Sequence, residues 1–506
     1  MKRTAMIVTC LCFGAMMLVP TVTGQQEKSA SERSFQQARQ VLEAGIKALG
    51  GLEALQSIND ITRELAGART DEGQSLQPAP PYFDNQPTAI SIRDIRGLRA
   101  MEHSEARILG GQPRKFRTVL TPNVVFSTNY VIQTIYPRPP ASIVPTRTAM
   151  FRRYPESLLL VAWNRPEMLR WVGEAEYEGR KQRVISFADA DGVQVGLYFD
   201  ALTNLLTKSE TLGDDSIFGD ITNEILYRDY RPVEKLMLPF RYTDKGGSTT
   251  QDLRASSIVI NMRPADSFFE MPEGFAKADT GPSSNAPTKL ANDVYAMVSG
   301  GYNSLFVVFN EYVLVLEAGG NNRLSQSLIA EIKKIAPNKP LRYLVSTHFH
   351  FDHLSGVRSF IAEGTTIVTT PGAKGVIEQA ASRAHVMRPD ALSRNPRSPI
   401  IETFKGKRIF DDGAHTVELY EFSSPHCGEI IIAYLPKEKI LFEGDLLDLD
   451  VAEGGTAPAG EDTADLANQI QRLGWQVERI VPVHGRLGKI EDLQRAVSKR
   501  TPRSGG

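Results

Sequence analysis

Cysteine is scarce: three residues in 506, at Cys10, Cys12 and Cys427, too few for a disulfide scaffold. Charge of one sign is lacking as well. Lys and Arg total 58 against 59 Asp and Glu, a net charge of −1. That balance gives no general attraction to nucleic acid or to an anionic membrane. Neither composition extreme is present. With 41% hydrophobic and 23% charged residues the chain is neither wholly disordered nor a polytopic membrane protein. At roughly 150 residues per domain its length allows two to four domains.

The first 24 residues differ from the rest. Met1-Lys2-Arg3 is a short basic start, and positions 4–24 carry no charge. Residues 5–19 have the length of a signal-peptide core, and Val22-Thr23-Gly24 offers small residues for cleavage. The expectation is a signal peptide over 1–24 and a mature chain starting near Gln25, exported to the periplasm or secreted, with no stable membrane anchor. An uncleaved anchor helix is the alternative. Cleavage would remove Cys10 and Cys12 and leave Cys427 unpaired.

Residues 31–49 place Phe35, Ala38, Leu42, Ile46 and Leu49 at helical spacing, and Gly50-Gly51 stops that helix. A second short helical piece follows over 52–58. From 61 to about 260 the pattern is mostly period two, with turn residues between short runs. Asp189-Ala190-Asp191-Gly192 joins two such runs as a hairpin. Residues 148–172 interrupt the pattern with a helical stretch. The first half, 31–275, therefore reads as a large antiparallel sheet with a few helices. Residues 276–288 are small and polar with two prolines and read as a linker. Beyond it, over 289–500, solid apolar runs such as Leu305-Phe306-Val307-Val308-Phe309 suggest strands buried on both faces, alternating with helices.

Thr347-His348-Phe349-His350-Phe351-Asp352-His353 follows the apolar strand end Leu344-Val345-Ser346. In extended backbone His348 and His350 share a face, and Asp352 and His353 come after the chain has begun to turn. Three imidazoles and a carboxylate form a ligand set suited to zinc and, less selectively, to iron or manganese. His426, Asp445 and His484 stand at other strand ends, where a sheet edge supports an open site. Five of the eight histidines fall in this set; His103, His385 and His415 receive no metal role. Cys427, adjacent to His426, points to the opposite face of an extended backbone and reads as a packing residue.

Residues 285–500 resemble the metallo-β-lactamase superfamily: the HxHxDH motif is intact, and His426, Asp445 and His484 follow in order. The resemblance implies a four-layered αββα sandwich. It puts one metal on His348, His350 and His426 and a second on Asp352, His353 and His484, with Asp445 bridging. Glu317 stands where many members carry Asp. The first half, over 34–275, resembles the curved-sheet domains related to bacterial lipoprotein carriers, through Leu49-Gly50-Gly51, Tyr198-Phe199-Asp200 and the stretch from Tyr227 to Val233. Such a sheet implies room for an apolar ligand. The fold class expected is thus α+β with two domains.

The function that follows is hydrolysis of a small-molecule ester, lactone, thioester, amide or phosphoester. Two zinc ions would give hydroxide at neutral pH, and Asp352 would be the catalytic carboxylate that orients it and passes a proton. Two alternatives remain. One is a mononuclear iron oxygenase of the same superfamily acting on sulfur compounds, which need not use His353 or His484. The other is a carrier whose first domain binds an apolar ligand; charged residues pointing inward would contradict it. The insertion 371–399 holds Arg383, Arg388, Arg394 and Arg397, and a mobile basic loop over the metals would favour an anionic substrate.

Overall fold

The computed structural model describes residues 28–111, 113–278, 286–299, 301–449 and 460–499. The expected signal peptide and most of the expected linker lie outside them. No helix among the described residues is long and apolar enough to cross a membrane. The molecule is a two-part α+β protein, as the change of texture along the chain predicts.

The first part is a 15-stranded sheet in which neighbours in sequence are mostly neighbours in space. Strand Asp60–Asp71 lies between Thr88–Asp94 and Thr249–Ile260, so the start and end of the sheet are stitched together in its middle. The anticipated hairpin is present, with Ala188 opposite Gln194. Helix Ala30–Ala48 forms where the apolar period requires it, and the left-handed backbone at Gly50 and Gly51 ends it. Ala38, Leu42 and Ile46 from that helix pack on Val195, Leu197 and Phe199, three strand residues spaced by two. Helix Pro155–Trp163 adds Leu158, Leu159 and Ala162 to the same core. The helical stretch expected over 148–172 ends early, because Arg170–Tyr177 is a strand that pairs with Arg180–Ala188. Backbone pairing at the sheet edge outweighs the local helical pattern there.

The core-bearing face of this sheet is filled by the protein's own side chains. Arg63, flanked by Ile61 and Leu65, is fully buried and meets the equally buried Glu156 at 2.7 Å. Arg93 is buried too and bonds the Met150 carbonyl. Charge therefore stands inside the core-bearing face, where it must be paired.

The second part stacks two sheets, of seven and six strands. Side-chain alternation builds four layers. Leu314, Leu316, Ile431 and Ala433 meet between the sheets. Val313 and Val315 face outward onto Leu328, Ile332 and Phe360 of the covering helices. On the other side Ile430 and Ile432 face Leu466, Ile470 and Leu493. This double burial is why those strands read as unbroken apolar runs.

The strands of the first sheet end at Lys277 and those of the second part begin at Thr288, and contacts join the two parts. Ala276–Lys277, inside the anticipated linker, pairs with strand Thr134–Pro137. Ile217, from the first sheet, belongs to the helix-side core of the second part, and Phe218 meets Phe351 edge-on with ring centroids 5.5 Å apart. The insertion 371–399 is held by the turn that carries Ile217 and Phe218, between strands Leu206–Asp215 and Gly219–Val233. Asp220 accepts from the Val386 and Met387 amides, and Asp214 meets His385 at 2.8 Å. Arg394 is turned to the Pro389 carbonyl. The stretch is docked against the first sheet rather than standing free.

Candidate metal centre

Each of the seven side chains singled out in the sequence stands just beyond a strand. His348 and His350 follow strand Leu341–Val345, and the one-turn helix Phe351–Leu354 carries Asp352 and His353. His426 lies between Thr416–Phe422 and Ile430–Leu435, Asp445 after Ile440–Glu443, and His484 after Arg479–Pro482. The fold brings all seven together. His348, His350, His426 and Asp445 form one group, and Asp352, His353, Asp445 and His484 a second, with the ligand atoms of each within 4.8 Å of one another. Asp445 belongs to both. Its Oδ1 lies 3.0 Å from His353 Nε2 and 3.2 Å from His484 Nε2, and its Oδ2 lies 3.3 Å from His426 Nε2.

The fit to cations shows in the buried atoms that have no hydrogen-bond partner. His348 Nε2, His350 Nδ1, His353 Nε2, His426 Nε2 and Asp445 Oδ1 are all of this kind. Leaving so many polar atoms without a hydrogen bond at one point is costly unless a cation sits there. The tautomers agree. His350 Nε2–H donates to the Ser75 carbonyl at 2.8 Å, which leaves the Nδ1 lone pair directed at the group. His348 uses Nδ1 toward the Thr347 hydroxyl at 2.9 Å, freeing Nε2.

Electrostatics divides the two groups. Burial and neighbouring imidazoles hold His348 well below its usual pKa and His350 down to about 3; both are neutral, as ligands must be. Burial also pushes His353 and His484 down. The carboxylates of Asp445 and Asp352 outweigh it, raising His353 well above its usual value and His484 to about 10. A cation bound beside these two imidazoles would displace their protons.

The supporting side chains lock this geometry. Glu317 is buried, accepts the Thr347 amide at 2.7 Å and lies 3.4 Å from His353 Nδ1. Glu443 accepts the Leu446 amide at 2.7 Å, with burial pushing its carboxyl up to about 8. Glu317 and Asp445 both have left-handed backbone, φ 64° and 66°, conformations that non-glycine residues adopt mainly where the surroundings impose them. Tyr302 donates to Asp352 Oδ2 at 3.2 Å and packs on the His484 ring. Gln74 donates to Asp352 Oδ1 at 2.7 Å from 278 positions away. No local pattern marks Gln74, Ser75 or Tyr302 as part of a site.

The bystanders are accounted for. His103 pairs with Glu105, His385 with Asp214 and His415 with Glu438, all away from the two groups. Cys427 is fully buried, donates to the Glu429 carbonyl at 3.2 Å, and burial raises its thiol to about 11. Only the thiolate reacts. The native protein at pH 8 should therefore leave Cys427 unmodified by iodoacetamide, and denatured protein should be modified fully. Peptide mass mapping reads both, and rapid native labelling would show an accessible thiol.

Residues 299–458 match the model of the metallo-beta-lactamase superfamily. The C-terminal half carries a metallo-β-lactamase superfamily domain. A 53-residue stretch is 38% identical to a linear primary-alkylsulfatase of Pseudomonas sp. (strain ATCC 19151), covering 10% of each chain; the chain thus spans about a tenth of that relative's length. Similar solved structures include a metallo-β-lactamase from Pontibacter korlensis, at 23% identity and a TM-score of 0.33 over 42% of this chain and 97% of that one. The DIM-1 metallo-β-lactamase follows at 20% identity and a TM-score of 0.31, over 42% and 94%. The metallo-β-lactamase match ends at 458 and so includes His348 to Asp445, while His484 lies beyond it.

Proposed function

We propose that this protein is an exported, dinuclear metal-dependent hydrolase, with zinc as the metal. The observation that carries the reading is the pair of four-residue groups sharing Asp445. His348, His350 and His426 would hold one cation, and Asp352, His353 and His484 the other, with Asp445 between them. Divalent cations held there would lower the pKa of a bound water toward neutrality and polarise the electrophile.

The chain's own groups do the rest. Asp352, held at Oδ1 by Gln74, orients the nucleophile and can carry a proton to the leaving group. Tyr302 steadies that carboxylate from the Oδ2 side. Burial, reinforced by the Asp352 and Asp445 charges, raises the Tyr302 phenol far above its usual pKa, so it acts as a donor. The substrate class is a small ester, lactone, thioester, amide or phosphoester. The short alkylsulfatase likeness adds sulfate esters.

Elemental analysis of purified protein, beside a panel of these substrates and β-lactams, tests the reading. Two zinc ions per chain are expected, with hydrolysis abolished by chelation and restored by zinc. A single iron with oxygen consumed during turnover would replace it with the oxygenase reading. Export predicts a mature N-terminus near Gln25, read by intact mass.

A further inference from the structure

Three consecutive residues of the first sheet's segment 72–76 each grip a different part of the metal centre. Gln74 Nε2 donates to Asp352 Oδ1 at 2.7 Å, the Ser75 carbonyl accepts from His350 Nε2 at 2.8 Å, and the Leu76 carbonyl accepts from the Gly428 amide at 2.8 Å. Asp352 belongs to one ligand group and His350 to the other, and Gly428 closes the turn that presents His426. The segment is itself braced. Ser75 is fully buried, with its hydroxyl donating to the Asp71 carbonyl at 2.8 Å and accepting from the Phe83 amide at 2.9 Å. At Gly73 the backbone lies so close to the Phe351 ring that an added Cβ would stand 2.4 Å from it, so only glycine allows this approach.

We infer that segment 72–76 is a built-in wall of the metal centre and that Gln74 is a positioning residue for Asp352. The inference rests on the reading of Asp352 as a ligand. A carboxylate rotates through a broad, two-fold torsion when unsupported. Here Gln74 fixes Oδ1, while Tyr302 and His484 face Oδ2 at 3.2 and 3.4 Å. Oδ2 is thereby kept toward the group formed with His353, Asp445 and His484. An amide suits this task, because it donates a hydrogen bond without bringing a positive charge that would compete with a cation for the carboxylate. The first sheet is then a structural partner in the metal site.

The test uses the full chain, stripped of metal and titrated with zinc against a chromophoric chelator, and separately with cobalt(II) to read its visible spectrum. Gln74→Ala should weaken the weaker zinc equivalent by about 10–100-fold, the usual effect of removing a group that orients a ligand. The tighter equivalent and the melting midpoint of the metal-free protein should stay unchanged, and the spectrum of the second cobalt equivalent should shift. Gln74→Glu, of the same shape but with a carboxylate facing Asp352, should weaken it further. His103→Ala, remote from both ligand groups, should bind as the wild type does. Wild-type zinc affinities and cobalt spectrum in Gln74→Ala would overturn the inference. So would equal weakening of both equivalents with a lowered metal-free midpoint, the mark of packing alone. A wild type that takes only one equivalent would sink the dinuclear reading by itself; Gln74 would then be judged on that equivalent's affinity and spectrum.

Discussion

Asp445→Asn should leave a folded protein that has lost tight binding of at least one metal and hydrolyses its substrate about a hundredfold or more slowly. Asp445 is the one side chain in both groups, so its charge would face both of the proposed cations. Asparagine is the informative replacement because Asp445 sits at φ 66°, and asparagine tolerates the left-handed region that alanine resists. The loss is then one of charge and ligation, without added backbone strain. Asp352→Ala should lower activity by a similar order while five histidines and Asp445 still hold metal. His103→Ala should change neither metal content nor rate, since His103 meets Glu105 and Tyr130 in the first sheet, away from both groups. Elemental analysis of each variant beside its turnover rate checks all three. An Asp445→Asn protein with two metals and wild-type rate would remove the shared-ligand arrangement from the mechanism.

Glu156→Ala should lower stability by about 3–5 kcal/mol, the largest single loss expected in the first sheet. Arg63 and Glu156 are both completely buried at 2.7 Å, among Tyr154, Leu158 and Tyr242. Burial alone would lower the guanidinium pKa, but the Glu156 charge together with Tyr242 and Tyr154 outweighs it and keeps Arg63 charged. Tyr242 Oη at 3.1 Å from Arg63 Nε and the Tyr154 ring 4.0 Å from its centre complete the cage. Removing the carboxylate strands a cation in the core, whereas Arg63→Met with Glu156→Leu together removes both charges and should cost far less. Urea denaturation compares the single and double variants. A single-variant loss below about 1 kcal/mol, the scale of an exposed pair, would mean that water reaches the site.

The sheet of the first half was legible because Val195, Leu197 and Phe199 alternate with exposed or half-buried residues, and the αββα half because its strands are apolar on both sides. The helical reading failed at its end, over 170–172, where strand pairing with Arg180–Ala188 decides the conformation and leaves no local mark. The seven candidate ligands were legible for a different reason: imidazoles and carboxylates are rare at the ends of apolar strands, and their order along the chain is a pattern in itself.

What the sequence determined by itself was therefore the two-part α+β architecture and the identity of the seven clustered side chains, since both depend on short-range periodicity and on residue chemistry. Tertiary structure alone decided what surrounds them. It brought Gln74 and Ser75 to Asp352 and His350, placed Ile217 in the second core, and tied the insertion at 384–387 to Asp214 and Asp220. These are contacts between residues many strands apart. A glutamine amide or a backbone carbonyl carries no signal of its partner until the two parts dock, because its hydrogen bond could be made equally well to water.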